Sequence, residues 1–159
     1  LGREALTRNL ERITPGVTEA AAKAKLEVAQ EAANRIRAAV PKKTGEFAAS
    51  IVGERQADNP GKLPVGGKQS KDPDATAVYA DYRWRWIEFG TAPHLIKGKN
   101  GGNLVFRATN GALVETRSVN HPGSRAHPAI FPTWKAYRKA AKAKISRAIG
   151  QAVKKSLGK

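Results

Sequence analysis

The C-terminal part of the chain holds the residues whose types and spacing most clearly suggest chemistry. From residue 133 onward the charged residues are lysines and arginines, without a single Asp or Glu. Exposed helix faces normally mix both signs of charge, so a face of one sign repels itself and attracts phosphates or carboxylates. The pattern predicts contacts with nucleic acid or with an acidic protein surface; a merely solvated helix face is the alternative. The predicted contact residues are Lys135, Arg138, Lys139, Lys142, Lys144 and Arg147.

The histidines and acidic residues do not form a pattern that indicates catalysis or metal binding. The chain has three histidines; His121 and His127 precede proline, and no helical His-x-x-x-His pair occurs. A structural hydrogen-bonding role is predicted for them, while a ribonuclease-like pairing of His with Lys stays open. Cysteine is absent, which excludes disulfides, thiolate catalysis and Cys-ligated metals. We predict no catalytic residue, no metal site and no cofactor, and expect that the protein is not an enzyme.

Two further segments could bind nucleotides or bases, and both have a simpler interpretation. The segment PGKLPVGGKQS (residues 60–70) resembles a phosphate-binding loop, but its spacing fails the G-x-x-x-x-G-K-[ST] pattern. Trp84 and Trp86, interleaved with Arg83 and Arg85, could stack on single-stranded bases. Aromatic residues also fill half-buried strands, so a structural role for this segment is the preferred prediction.

Composition limits the remaining possibilities. The chain has 159 residues, with 29 Lys and Arg against 13 Asp and Glu, for a net charge of +16. This length predicts one domain over residues 1–159, and this charge predicts a polyanionic or acidic partner. The apolar runs are too short to span a membrane, so no membrane partner is expected.

The first half of the chain predicts a long helix followed by a strand and a long loop. The first forty residues have helical periodicity, with an expected break at Thr14-Pro15 and an end at Pro41. A short helical turn or an extended entry and then a strand near 50–57 should follow, and residues 58–75 form a loop without periodicity. The expected apolar stripe of the helix is Ala22, Leu26, Ala29, Ala33, Ile36 and Val40.

The second half predicts strands and a final helix. Residues 76–89 alternate like a strand, and Asn110-Gly111 between two apolar segments indicates a hairpin within an arm at 95–118. Thr133 should cap a helix over 133–157 that packs on the sheet through Trp134, Tyr137, Ala141, Ile145, Ala148 and Ala152. The fold class is α+β: an antiparallel sheet with a projecting hairpin, flanked by long N-terminal and C-terminal helices.

Three segments in matching order resemble one family. VPKKTGEFAASI (residues 40–51) resembles P-x-x-T-G-x-L-x-x-S-I, with Phe47 at the usual leucine. YADYRWRWIEFGTAPH (residues 79–94) resembles Y-A…[VI]-E-[FY]-G-T-x-P-H. VNHPGSRAHPAI (residues 119–130) resembles V-x-H-P-G-T-x-A-x-P-F-[LM], with Ser124 for Thr. The family is the tail-completion or head–tail joining proteins of long-tailed bacteriophages, similar to the minor tail protein Z of lambda-like phages.

The resemblance implies a non-enzymatic protein of the virion neck, assembled in the bacterial host cytoplasm. It would form a homo-oligomeric ring, a hexamer, that completes the tail and joins it to the head, with packaged DNA passing through without specific contacts. The implied protein partners are a tail terminator or tail tube protein and a head connector, adaptor or stopper protein. The resemblance would fit a protein from the neck of a gene transfer agent equally well. A small basic nucleic-acid-binding protein that uses the C-terminal helix is the alternative.

The resemblance also implies structural roles for the motif residues. Their position at strand ends and turns, without a nucleophile nearby, agrees with this expectation. These residues are Thr44, Gly45, Glu88, Phe89, Gly90, Thr91, His121, Pro122, Gly123 and Pro128.

Overall fold

The computed structural model describes residues 2–158, except for the side chains of residues 2, 3, 5, 6, 8, 9, 12 and 13. The fold is α+β, with long terminal helices and antiparallel strand pairs, as predicted. The chain divides into two units, which we call the helical unit (Leu1–Trp84 with Pro128–Lys159) and the ribbon unit (Arg85–His127). Each is described in turn.

The helical unit is built on two antiparallel helices, α1 (Gly2–Ala39) and α4 (Ile130–Ser156). Their shared core contains Val28 and Ala32 of α1 with Tyr137 and Ala141 of α4. Small alanine side chains let the two helix backbones approach closely. The predicted partner of the α4 stripe was the sheet, and this was wrong, because α4 packs mainly along α1.

Two predicted helix boundaries were also wrong. Helix α1 continues through Pro15, because a proline removes one backbone hydrogen bond without preventing the next turn from forming. Helix α4 begins at Ile130, so Thr133 lies inside it and does not cap it. Pro132 falls in the first turn, where a missing backbone N–H leaves no partner unsatisfied. The end of α1 at Ala39, just before Pro41, is as predicted.

A hairpin covers a second face of α1. After the short helix α2 (Glu46–Ala49), strand β1 (Val52–Arg55) pairs antiparallel with β2 (Thr76–Tyr79), and both contact α1. A Cβ added to Gly53 would lie 2.2 Å from the carbonyl oxygen of Ala29, so strand and helix backbones touch here. The predicted stripe of α1 was buried except for Leu26, which is half-buried, and it was too narrow. Because α1 is covered by both α4 and the hairpin, Ala24, Val28 and Ala32 are buried as well.

The segment between β1 and β2 lacks helices and strands, as predicted, but it is held by its own hydrogen bonds. Asn59 is buried; its Nδ2 donates to Glu54 Oε2 at 2.7 Å, and its Oδ1 accepts from Lys62 Nζ at 3.0 Å. The Val65 N–H donates to the carbonyl of Val78 at 2.9 Å, which attaches the loop to the free edge of β2. The loop therefore forms part of the wall around the core.

The strand predicted over residues 76–89 is only half correct. Strand β2 ends at Tyr79, and Trp84–Phe89 form a short helix, α3. Asp81 starts this turn of chain: its Oδ1 accepts from the Arg83 N–H at 2.9 Å, and its carbonyl accepts from the Trp84 N–H at 3.0 Å. Aspartate is a preferred residue at the start of a helix, and this local signal outweighed the alternation of aromatic residues.

The ribbon unit contains two pairs of antiparallel strands, which follow each other along one long hairpin. Strand β3 (His94–Lys97) pairs with β6 (Ser118–His121), and β4 (Leu104–Arg107) pairs with β5 (Leu113–Thr116). The predicted turn at Asn110-Gly111 connects β4 and β5, with Gly111 at φ 84°. We call residues 91–124 the ribbon, because an isolated bridge between Thr91 and Ser124 closes its base.

Candidate nucleic-acid interface

The basic residues of α4 divide into an exposed stripe and a residue that faces α1. Lys135, Arg138, Lys139 and Lys142 are exposed, and their spacing of three and four residues places them on one side of the helix. We call these four residues the basic stripe. Within the part of the chain that the structure describes, none of them forms an ion pair. The stripe extends about 10 Å along the helix and offers its charge to an external anion.

The other two predicted contact residues do not belong to this stripe. Lys144 Nζ lies 3.1 Å from Glu27 Oε2 and 3.7 Å from Glu31 Oε2, so the Lys144 ammonium forms ion pairs with two carboxylates of α1. Arg147 is exposed but lies about 120° around the helix from Lys135. The sequence shows which residues of α4 are basic, but only the position of α1 decides which of them remain available.

A polar cluster on the side of α4 opposite the basic stripe joins α1 to α4 and fixes the rotation of α4. Tyr137 Oη donates to Glu31 Oε2 at 2.8 Å, and the Arg35 guanidinium carbon lies 4.6 Å from the centre of the Tyr137 ring. Arg35 Nη2 also donates to Glu31 Oε1 at 2.8 Å. The sequence pattern predicts Tyr137 only as an apolar residue on the buried face of α4. Its hydroxyl has a specific partner, so the same side chain serves both packing and polar contact.

The electrostatics of the cluster follow from these contacts. The Arg35 and Tyr137 hydrogen bonds lower the pKa of Glu31 below its ordinary value. Burial, reinforced by the hydrogen bond to Glu31, raises the pKa of Tyr137 to about 12. Glu31 is therefore a carboxylate and Tyr137 a neutral phenol at neutral pH. The cluster holds α4 with its basic stripe facing away from the acidic side chains of α1.

The motif residues of the second and third segments meet at the base of the ribbon. The backbones of Thr91 and Ser124 exchange two hydrogen bonds of 3.0 and 3.1 Å. A Cβ added to Gly90 would lie 2.4 Å from the Ser124 carbonyl oxygen, and one added to Gly123 would lie 2.2 Å from that of Thr91. Both glycines have positive φ. Only glycine combines that conformation with such close backbone contact.

The remaining motif residues have varied surroundings. Glu88 is buried in α3, whereas Phe89, Pro122 and Pro128 are exposed. His121 Nδ1 accepts a hydrogen bond from the Gly123 N–H at 3.0 Å. The first motif lies in the helical unit, where Gly45 with φ 82° begins α2 and Thr44 is exposed. The structure thus brings the second and third motifs together at the base of the ribbon. Within the helical unit, Ser50 Oγ of the first motif accepts a hydrogen bond from the Asp81 N–H of the second segment at 3.1 Å.

The histidines provide no metal site among the described residues. His94 and His121 face each other across β3 and β6, with ring centres 5.0 Å apart. Across residues 2–158, apart from the omitted N-terminal side chains, there is no group of three His, Cys, Asp or Glu that could hold a metal ion. No described helix is both long enough and apolar enough to cross a membrane.

Comparison with known families gives one match. The model of the HK97-gp10-like family, described as "Bacteriophage HK97-gp10, putative tail-component", matches residues 4–90. The match covers more than half of the chain, from α1 to the end of α3, and includes the first motif and most of the second. Neither the curated proteins nor the solved structures yielded a match. The chain therefore belongs to the HK97-gp10-like family of bacteriophage tail components.

Proposed function

We propose that this tail component is a tail-completion protein, similar to the minor tail protein Z of lambda-like phages. In this proposal six copies form a ring in the neck of the virion, on top of the tail tube and below the head connector. The chain acts as a structural part and performs no reaction. The tight backbone contacts at Gly90, Thr91 and Gly123 support a structural role for these motif residues.

The basic stripe is the observation that carries the proposal. Four exposed cations, without ion pairs to the described side chains, repeat in every copy of a ring and would concentrate positive charge on one surface. We assign this surface to the DNA channel, where phosphate contacts hold DNA without reading its sequence. Weak contacts of this kind are suited to DNA that must pass through the ring. An acidic surface of a neighbouring ring is the other partner that the charge would fit.

A charge-reversal experiment with matched controls tests the proposal. Heads and tails are produced without the wild-type gene and complemented with a variant that has Glu at Lys135, Arg138, Lys139 and Lys142. The control variant has Glu at Lys42, Lys43, Lys154 and Lys155, which are also exposed and give the same change in net charge. We expect the stripe variant to reduce DNA-filled heads joined to tails at least about tenfold, and the control to stay near wild type. Equal joining by both variants would contradict the role of the stripe.

The basic stripe also favours a second candidate, a small nucleic-acid-binding protein that acts outside the particle. The two functions differ in where the protein is found and in how the free chain binds. A tail-completion protein copurifies with tails, whereas the second candidate binds DNA as a free chain and is missing from purified particles. In either case the affinity for DNA should fall with salt, with a slope that decreases by about 0.9 for each phosphate contact removed.

A further inference from the structure

The ribbon unit exposes apolar side chains and has almost no core of its own. Within Arg85–His127, which the structure describes completely, Glu88 is the only buried residue. Two-stranded ribbons are marginally stable in water, and small units without a core usually depend on disulfides, metals or association. The chain has no cysteine, and no metal-binding group occurs among its described residues. Packing against another protein surface would stabilise the ribbon.

Two of the exposed apolar residues lie together near the tip of the ribbon. Val105 is 60% exposed and Leu113 is 68% exposed. In the β4–β5 register, Val105 pairs with Glu115 and Arg107 pairs with Leu113, so Val105 and Leu113 are diagonal neighbours on one face. This apolar pair is flanked by one positive and one negative residue. The arrangement resembles the apolar centre and polar rim of a protein interface.

The helical unit contains an apolar groove of matching size. A cavity of about 220 Å³ lies between α1, β2, the loop after β1 and the start of α4. One water occupies roughly 30 Å³ in the liquid, so the groove has room for one or two aliphatic side chains. Trp134 at this groove is 39% exposed, although the sequence predicted it as a major core residue. The residues that line the groove include Val28, Ile36, Pro64, Val65, Val78 and Trp134.

The accessible surface agrees with extensive association. The chain exposes 11706 Å². A folded single chain of 17.1 kDa is expected to expose roughly 7,800 Å². The excess of about 4,000 Å² lies within the roughly 2,000–5,000 Å² that two obligate interfaces remove from each subunit of a ring. One chain that carries both an apolar projection and an apolar groove can form such a head-to-tail contact.

We propose that Val105 and Leu113 of one copy insert into the apolar groove of the next copy, beside Val65 and Trp134. This inference rests on the proposed ring and specifies its subunit contact. Copies with a net charge of +16 repel one another in dilute salt, so the contact forms when salt or DNA screens that charge. The occupant of the groove is a second copy of this chain.

Cross-linking between two single-cysteine variants tests the contact directly. Leu113→Cys and Val65→Cys are prepared separately, mixed at about 1 M salt and treated with a short bismaleimide. Because the natural chain lacks cysteine, a 65–113 product joins two different copies. We expect this mixed product to exceed both self-linked products at least about tenfold, while a Leu113→Cys and Lys154→Cys mixture gives little product. A predominant 113–113 product, or equal yields with residue 65 and residue 154, would overturn the proposal.

A complementation test separates failure of the contact from failure of the proposed function. Leu113→Asp damages the projection and Trp134→Ser damages the groove, and circular dichroism verifies that both variants fold. We expect each variant alone to be monomeric and the mixture to stop at a dimer, because only one intact contact remains possible. If the mixture stays monomeric while wild type forms rings in tails, the contact is wrong and the function stands. If heads and tails join normally without the chain, the proposed function fails whatever the cross-linking shows.

Discussion

The helical unit and the ribbon unit differ in how much apolar surface each one buries. In the helical unit, α1 is covered on two faces and encloses fully buried residues such as Ile36 and Ile51. In the ribbon unit the backbone is well paired, yet its apolar side chains remain exposed. The first unit therefore draws stability from its own core, whereas the order of the second rests on backbone hydrogen bonds. Buried apolar area, and not hydrogen bonding alone, distinguishes the two units.

Truncation of one apolar side chain in each unit should give the largest contrast. Ile36→Ala leaves a cavity between α1 and its neighbours, and we expect it to lower the free energy of unfolding by about 2–5 kcal/mol. Leu113→Ala removes a side chain that is exposed in the free chain, so its effect should stay within about 0.5 kcal/mol. Urea unfolding of the monomer followed by circular dichroism measures both values. Equal losses would mean that the ribbon has a core of its own.

Adding a methyl group to two glycines of the helical unit should give effects of opposite sign. Gly53→Ala forces a Cβ against the backbone of Ala29 and should cost about 1–3 kcal/mol. Gly150→Ala adds a methyl group in open space within α4, and should stabilise the helix by about 0.5–1 kcal/mol. The same urea titrations apply. A neutral Gly53→Ala would show that β1 and α1 can separate without cost.

Removal of one hydroxyl from the cluster between α1 and α4 should have a smaller effect. Tyr137→Phe deletes the donor to Glu31 and should cost about 1 kcal/mol at neutral pH. The pKa of Tyr137 is raised to about 12, so its contribution is present below pH 10 and is lost as pH rises through about 12. The lowered pKa of Glu31 contributes stability above its ordinary value of 4.5, and this is lost as pH falls. Stability measured against pH should therefore decline less steeply at both ends in the variant; identical profiles would contradict the role of the cluster.

The features that could be predicted from sequence are those with a strong local signal. Helical periodicity identified both long helices, and Asn110-Gly111 identified the β4–β5 hairpin. The helix over Trp84–Phe89 was missed because aromatic alternation resembles a strand. Asp81, which accepts hydrogen bonds from the start of that turn, was the available signal for the correct interpretation.

The accessibility of side chains on α4 depends on long-range packing, which no single segment of the sequence contains. The sequence identified the basic residues of α4 but could not separate Lys144 from Lys142, because the difference is the position of Glu27 on α1. Similarly, Trp134 has the periodicity of a core residue, yet it borders a groove that forms only when α1, β2 and α4 come together. Long-range packing decides which side chains of a correctly predicted helix remain available for a partner.

Electron cryo-microscopy of the completed tail would show directly where this chain lies and which side chains face the DNA. We expect a ring of six copies at the head-proximal end of the tail tube, with Lys135, Arg138, Lys139 and Lys142 of every copy facing the central channel and its DNA. Density for this chain elsewhere on the particle, or a ring with the four side chains facing outward to solvent, would contradict it.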